Sequence, residues 1–279
     1  MMKKFVQVLI YMMLPMWQLQ AMEFDAYTTP QTQVVPIVSS VNGGQYELLV
    51  KLPEGYGKDL KRRYPVVYFT DAVWQLDLLS AATTFLMDDA ILVGISWQKD
   101  MPRGDGKVAV PHASRFRDYT VTPSTDKARQ AKYHFGQAEK HLAFIRNDVI
   151  KRVDTLYRTK SDQRAYFGYS LGGQFGVYVL AAQPDTFNHY ILGSPALGGS
   201  MDYLSNLLSQ QKQLKANVFI SYGDQEARLK THVDVLLSKL NARKHSQLSL
   251  THEVMEGDHS QAVPMTAARG VSWLSKLTQ

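Results

Sequence analysis

Residues 164–173 read Arg-Ala-Tyr-Phe-Gly-Tyr-Ser-Leu-Gly-Gly, and they set the terms for the rest of the chain. A short apolar run, Ala165-Tyr166-Phe167, leads into Gly168-Tyr169-Ser170-Leu171-Gly172. A second apolar run follows, with Phe175, Val177, Tyr178, Val179, Leu180, Ala181 and Ala182. A strand, a sharp turn carrying a serine and a helix are the context that gives a G-x-S-x-G pattern chemical meaning. Strand and helix approach each other closely at such a turn, so the flanking positions must be small, and Gly168 and Gly172 meet that need. The serine is expected at a strained turn with its hydroxyl projecting above the sheet. The Leu171 amide then lies at a helix N-terminus, where unpaired N–H groups can face a developing oxyanion.

Around this turn the chain alternates. Residues 34–40 and 46–52 read as two strands about the turn Asn42-Gly43-Gly44. The continuous apolar runs 64–70 and 90–96 read as strands buried on both faces, with a helix at 73–85 between them. Residues 97–135 carry Pro, Gly, Arg, Lys and His without a period and read as one long irregular segment. A helix is expected over 136–158, with Ala138, Leu142, Ile145, Val149 and Leu156 inward. Beyond the serine turn come a short strand at 190–192, a helix at 201–214, a strand at 217–222 and a helix at 225–240. A strand at 248–255 and a helix at 260–277 close the chain, the helix turning Ala267, Val271, Leu274 and Leu277 inward. Strand–helix alternation of this kind predicts an α/β fold: a mostly parallel central sheet with helices on both faces.

The chain has 279 residues, with no repeat and no linker-like stretch, and reads as one domain over 22–279. Residues 1–21 have the layout of a signal peptide: Lys3 and Lys4, an apolar stretch from Phe5 to Trp17, and a small residue at Ala21. The apolar stretch is shorter than the ~20 residues that span a bilayer, and no cysteine follows to carry a lipid. The expectation is a periplasmic or secreted protein with no stable membrane anchor after cleavage. A net charge of +6, with no basic run interleaved with aromatics, gives no footprint for nucleic acid. The absence of cysteine excludes disulfides and thiol chemistry.

In open parallel sheets, ligands bind beyond the C-terminal ends of the strands. Two polar clusters sit at such ends: Gly223-Asp224-Gln225-Glu226 and Glu256-Gly257-Asp258-His259. The resulting order, Ser170, an acid at Asp224 or Glu226, and His259, is the one α/β-hydrolases use. A serine hydroxyl attacks well only if a base takes its proton. Histidine titrates near neutrality and can take that proton and return it to a leaving group. A carboxylate behind it fixes the tautomer and stabilises the imidazolium. A second oxyanion donor is expected in the loop 71–74. His252, Glu253, Asp258 and His259 supply no third ligand for a metal, and this chemistry requires no cofactor.

Four segments together resemble a family: 64–71 (Tyr-Pro-Val-Val-Tyr-Phe-Thr-Asp), Arg115-x-Arg117-Asp118-Tyr119-Thr120, the run from Gly136 to Arg146, and Gly168-Tyr-Ser-Leu-Gly-Gly173. The chain resembles the putative-esterase family of the α/β-hydrolase fold over roughly residues 33–275. It is most similar to the periplasmic branch that includes the siderophore trilactone esterases. The resemblance implies Ser170 as nucleophile, His259 as base, and Glu226 as acid, three residues after the strand-ending Gly223. It implies an oxyanion hole from the amides of Leu171 and Val73, and it matches Asp71 to an aspartate that can hydrogen-bond substrate. Ala72 stands where the family commonly has glycine, and its Cβ is expected to disfavour a positive φ beside the oxyanion hole.

The expected activity is hydrolysis of a small-molecule carboxylic ester through an acyl-serine. The basic stretch from Arg103 to His134, with Arg115 and Arg117, favours an acidic or catecholate substrate where it faces the cleft, and the resemblance implies a siderophore-type lactone among such substrates. Acyl transfer to a sugar or alcohol, and a non-catalytic binding protein on the same fold, are the alternatives.

Overall fold

The computed structural model describes residues 28–102, 107–243 and 247–278. The expected signal peptide and Arg103 lie outside the described residues. Strands β1 (Thr32–Val38) and β2 (Gln45–Lys51) form an antiparallel hairpin. Gly43 takes a left-handed φ of 71° in its turn. β2 pairs antiparallel with β4 (Ile91–Ile95). From there β3 (Tyr64–Phe69), β5 (Thr159–Tyr169), β6 (His189–Gly193), β7 (Lys215–Gly223) and β8 (Gln247–Met255) are all parallel, in the order β1-β2-β4-β3-β5-β6-β7-β8. β3, β4 and β6 are buried along their whole length, as unbroken apolar runs demand. β5 begins well before the apolar run that marks it in the sequence. Residues 160–164 are polar because that half of the strand is only partly covered.

Successive residues of β3 serve opposite faces. Val67 and Phe69 pack with helix α1 (Ala72–Leu86), and with them Ala262, Ala267, Val271 and Leu274 of the last helix. Val66 and Tyr68 pack on the other face with Leu142, Val153, Phe175, Leu204 and Val233. These come from five helices: α4 (Ala138–Phe144), α5 (Ile150–Leu156), α6 (Leu171–Ala182), α7 (Met201–Gln210) and α8 (Ala227–Asn241). The last helix, α9, is Ala262–Thr278.

Residues 97–135 are less irregular than their composition implies. They contain α2 (Ser114–Asp118) and α3 (Lys127–Tyr133). One turn is too short to show a period, and α3 buries no residue, so neither leaves an apolar stripe to read. Asp126 caps α3 by accepting the Ala128 and Arg129 N–H groups. The helix expected over 136–158 starts two residues late because Gly136 is left-handed, at φ 92°. Between α4 and α5 it passes through a π turn, 145–149. Beyond it Ile150 and Val153 are buried, whereas Leu156, the last residue of α5, is exposed rather than inward. Leu277 is likewise exposed rather than inward.

The parallel strands end along one edge of the sheet. β3 leads to Asp71 and β5 to Ser170. β6 leads to Ser194, β7 to Glu226 and β8 to His259.

Candidate active site

Ser170 has φ 57° and ψ −115°, a conformation that costs a non-glycine residue about 1–3 kcal/mol and that the surroundings must impose. They do so with backbone bonds. The Ser170 N–H donates to Gly193 O at 2.9 Å, and the Ser170 carbonyl accepts from the N–H groups of Gln174 (2.9 Å) and Ala196 (3.0 Å). Tyr166 Oη donates to the Gly172 carbonyl at 2.8 Å. A Cβ at Gly168 would lie 2.3 Å from Gly172 O, and one at Gly172 would lie 2.5 Å from Thr70 Oγ1. Both glycines are therefore demanded by close approach. α6 begins at Leu171, which leaves its amide among the unpaired N-terminal donors.

Of the two acids in the β7 loop, Glu226 faces the histidine. Its Oε1 lies 2.5 Å from His259 Nδ1, and its Oε2 accepts from Ser194 Oγ (2.6 Å) and the Gly223 N–H (2.7 Å). The carboxylate is 7% exposed and the imidazole 46%, so the acid is covered and the base is open to the cleft. Asp224 acts elsewhere, on the backbone. Its Oδ1 accepts the Gly257 N–H at 2.9 Å and ties the two loops together. Gly257 is left-handed, at φ 102°, and turns the chain from β8 toward His259. Among the described residues no hydrogen bond joins Ser170 to His259, a contact that often tightens only when substrate binds. Both line one cleft of about 470 Å³, with Asp71, Trp74, Gln75, Arg115, Tyr169 and Val263. A larger cavity, about 750 Å³, lies at the opposite end of the strands around Asp185, His189 and Lys215, away from these groups.

On the other side of the cleft, Asp71 is buried and held by three side-chain hydrogen bonds. Its Oδ1 accepts from Trp97 Nε1 (2.7 Å) and Arg115 Nε (3.0 Å), and its Oδ2 accepts from Arg115 Nη2 (2.9 Å). Burial by itself disfavours the Arg115 cation, and the Asp71 carboxylate more than offsets this, so the Arg115 pKa is raised. The guanidinium also sits 5.0 Å from the centre of the Trp74 ring. Asp71 is thus held by Arg115 and Trp97 while it lines the same cleft as Ser170 and His259.

The positive φ in this loop falls on Asp71 (55°), and Ala72 is already the first residue of α1. The expected conflict at Ala72 does not arise, because no left-handed conformation is asked of it. The N–H groups of Trp74 and Gln75 donate to the Asp71 carbonyl, at 2.8 and 3.2 Å. The Val73 amide belongs to the first turn of the helix, among the donors that lack an intrahelical partner.

Arg117 is not in the cleft. It is buried, donating from Nε to Asp118 Oδ1 (2.7 Å) and from Nη2 to Tyr46 Oη (2.9 Å) and Asp118 Oδ2 (3.1 Å). Two residues along one helical turn rotate a side chain by about 200°, so Arg115 and Arg117 face opposite ways. Arg129 and Lys132 lie over the rings of Phe135 (5.2 Å) and Tyr133 (4.9 Å). Of the basic residues from 107 to 134, Arg115 lines the cleft, and its charge is matched by Asp71.

Residues that motif reading passed over include Trp74, Trp97, Tyr169 and Ser194. Tyr169 occupies the free position of the serine motif. Ser194 is the polar residue just beyond β6, the kind of position that singled out Glu226 and His259.

A family model described as Putative esterase matches residues 39–277. The chain is 24% identical over 230 residues to the ferri-bacillibactin esterase BesA of Bacillus subtilis, covering 75% of this chain and 76% of that one. It is 27% identical over 189 residues to a siderophore triacetylfusarinine C esterase of Aspergillus fumigatus, covering 65% and 60%. The fold matches that of an IroE-like serine hydrolase from Shewanella oneidensis, with a TM-score of 0.72 at 22% identity, over 88% of this chain and 80% of that one.

Proposed function

Taking as premise that the chain belongs to the putative esterase family and hydrolyses esters, we propose that Ser170, His259 and Glu226 form its catalytic triad. The observation that carries this reading is the 2.5 Å contact between buried Glu226 and open His259, in the cleft that Ser170 enters from a strained turn. Ser170 Oγ attacks the ester carbonyl as His259 Nε2 takes its proton. The carbonyl π electrons move to oxygen, and the amides of Leu171 and Val73 stabilise that oxyanion. Collapse breaks the bond to the alcohol, which receives the proton from His259. Water, deprotonated by the same histidine, then releases the acid and restores Ser170. Each such oxyanion donor typically lowers the barrier by about 3–4 kcal/mol.

The substrate we propose is a siderophore-type lactone or ester. The names of the relatives support it, as does the exposed Trp74 that lines the cleft, with the His112 ring beside it at 6.1 Å. We further propose that the protein is one α/β-hydrolase domain exported by residues 1–21. Among the described residues no helix is long and apolar enough to cross a membrane.

Ser170→Ala is expected to abolish turnover of p-nitrophenyl esters and labelling by a fluorophosphonate. Retained turnover would overturn the triad. Wild type should cleave a triscatecholate trilactone with a higher kcat/KM than simple acyl esters. Equal or lower values would sink the siderophore reading and leave a general esterase, and product formed on an added alcohol in preference to free acid would indicate acyl transfer.

A further inference from the structure

Between the acid and the base lie two hydroxyls that the reaction sequence does not use. Ser194 ends β6 fully buried, in a left-handed conformation with φ 37°. Its N–H donates to Ser221 O at 2.7 Å, which holds the residue in place. Its hydroxyl donates to Glu226 Oε2 at 2.6 Å, beside the Gly223 N–H at 2.7 Å. With Oε2 held twice, Oε1 is the oxygen presented to His259 Nδ1, at 2.5 Å.

Tyr169 reaches the same point from the nucleophile's side. It directly precedes Ser170, and its ring centre lies 5.2 Å from that of His259. Its hydroxyl donates to the His259 carbonyl at 2.7 Å and lies 2.8 Å from Ser194 Oγ. The His259 carbonyl can only accept, so the single phenol hydrogen goes to it, and the single hydrogen of Ser194 lies between the Glu226 carboxylate and the phenol oxygen. Burial raises the Tyr169 pKa, so the phenol keeps its proton over the range in which a histidine works.

The three triad residues come from three separate strand ends. Ser170 follows β5, Glu226 follows β7 and His259 follows β8. The Asp224–Gly257 bond ties the loops of Glu226 and His259 at the backbone, and it leaves open how their side chains meet each other and Ser170. We propose that Tyr169 and Ser194 are positioning residues that hold acid, base and nucleophile in register: Ser194 sets which carboxylate oxygen meets the imidazole, and Tyr169 anchors the histidine's backbone to the residue beside the nucleophile. The proposal rests on the triad reading above. It explains why a tyrosine fills the free position of the serine motif and why a buried serine closes a strand that contributes no catalytic group.

The test compares Ser194→Ala, Tyr169→Phe, the double variant and Ser170→Ala in the full chain. It reads kcat and KM on a p-nitrophenyl ester and the folded fraction by circular dichroism. A misplacement on the scale of 1 Å can cost about 10²-fold, so each single variant should lose roughly 10- to 100-fold in kcat per folded molecule. KM should stay within about threefold, because neither hydroxyl binds substrate. The double variant should fall no more than about threefold below the worse single, since both changes loosen one unit. Tyr169→Phe keeps the ring on His259 and decides the matter alone if Ser194→Ala does not fold. With Ser170→Ala inactive, a kcat within about twofold of wild type in the single variants would overturn the proposal and leave the triad standing. So would a loss that merely tracks the unfolded fraction, or one confined to KM. Activity in Ser170→Ala would instead overturn the triad reading itself.

Discussion

Glu226 and Asp71 are both buried carboxylates beside the same cleft, Asp71 in its wall and Glu226 behind His259, each at the end of a parallel strand and each close to the start of a helix. Their partners separate them. Asp71 is clasped on two sides by Arg115, a cation that keeps its charge at every working pH, and capped by the Trp97 indole. That arrangement is static: it neutralises a buried charge and braces the loop before α1. Glu226 gives one oxygen to the scaffold and the other to His259, whose charge can change as a proton moves. A buried carboxylate thus becomes part of a reaction or part of a brace according to whether its partner can titrate and reach the cleft.

The largest expected effect breaks the comparison on the Glu226 side. Glu226→Gln keeps the side chain's size but removes the charge that stabilises the imidazolium and favours one tautomer. In a serine triad such a change lowers kcat by about 10⁴-fold. Stopped-assay kcat for this variant, normalised by folded fraction, should fall by at least about 10³-fold. A loss under tenfold would return the acid's role to Asp224 or to no carboxylate at all.

The matching change on the other side should act on stability. Asp71→Asn leaves the Arg115 guanidinium buried without its counter-charge, and breaking a buried ion pair by removing one partner costs about 3–5 kcal/mol. Urea unfolding should show a lower midpoint with an unchanged slope. A midpoint like that of wild type, with kcat reduced as far as in Glu226→Gln, would mean that Asp71 belongs to the reaction after all.

The contrast also marks what the sequence could disclose. The serine turn was legible because its chemistry is local: strand, glycine, serine, glycine and helix are neighbours in the chain. His259 became a candidate at one remove, through the rule that sites lie beyond strand ends; that rule left Asp224 and Glu226 both open, and the family resemblance pointed to Glu226. The Asp71–Arg115 pair was not, because a five-residue helix decides which of Arg115 and Arg117 turns toward the cleft, and one turn carries no readable period. The π turn at 145–149 escaped notice for a related reason: it adds one residue to an apolar pattern without changing its composition. Ser194 followed the same strand-end rule as Glu226, yet a lone serine carries far less signal than a Glu or His.

A smaller effect concerns Ala72. Since Asp71 holds the positive φ and Ala72 opens the helix, restoring the family's glycine should not improve the oxyanion hole. Ala72→Gly should lower stability by up to about 1 kcal/mol, the helix cost of glycine, with kcat unchanged. An increase in kcat of several-fold would show that the Cβ does obstruct the Val73 amide.

The smallest expected effect extends the comparison to histidines. His141, like His259, lies near a carboxylate, but its Nδ1 is 3.9 Å from Asp118 Oδ2 and the ring is buried among Tyr46, Tyr119, Phe144 and Phe175. Burial lowers its pKa from the ordinary 6.5, and the attraction of Asp118 only partly opposes this. Below pH 6.5 the unfolded chain therefore binds the proton more readily than the folded one. Stability from this group is fully present above that value and is lost as pH falls from it toward the folded pKa. Urea midpoints at about pH 7.5 and about pH 5.5 should show wild type weaker at the lower pH. His141→Phe, which keeps an aromatic ring in an aromatic setting, should reduce that difference. Part of it should persist, because His189 and His252 also have lowered pKa values, each through burial. A variant whose midpoints differ as much as those of wild type would show that His141 takes up its proton without opposing the fold, and that burial alone does not separate it from His259.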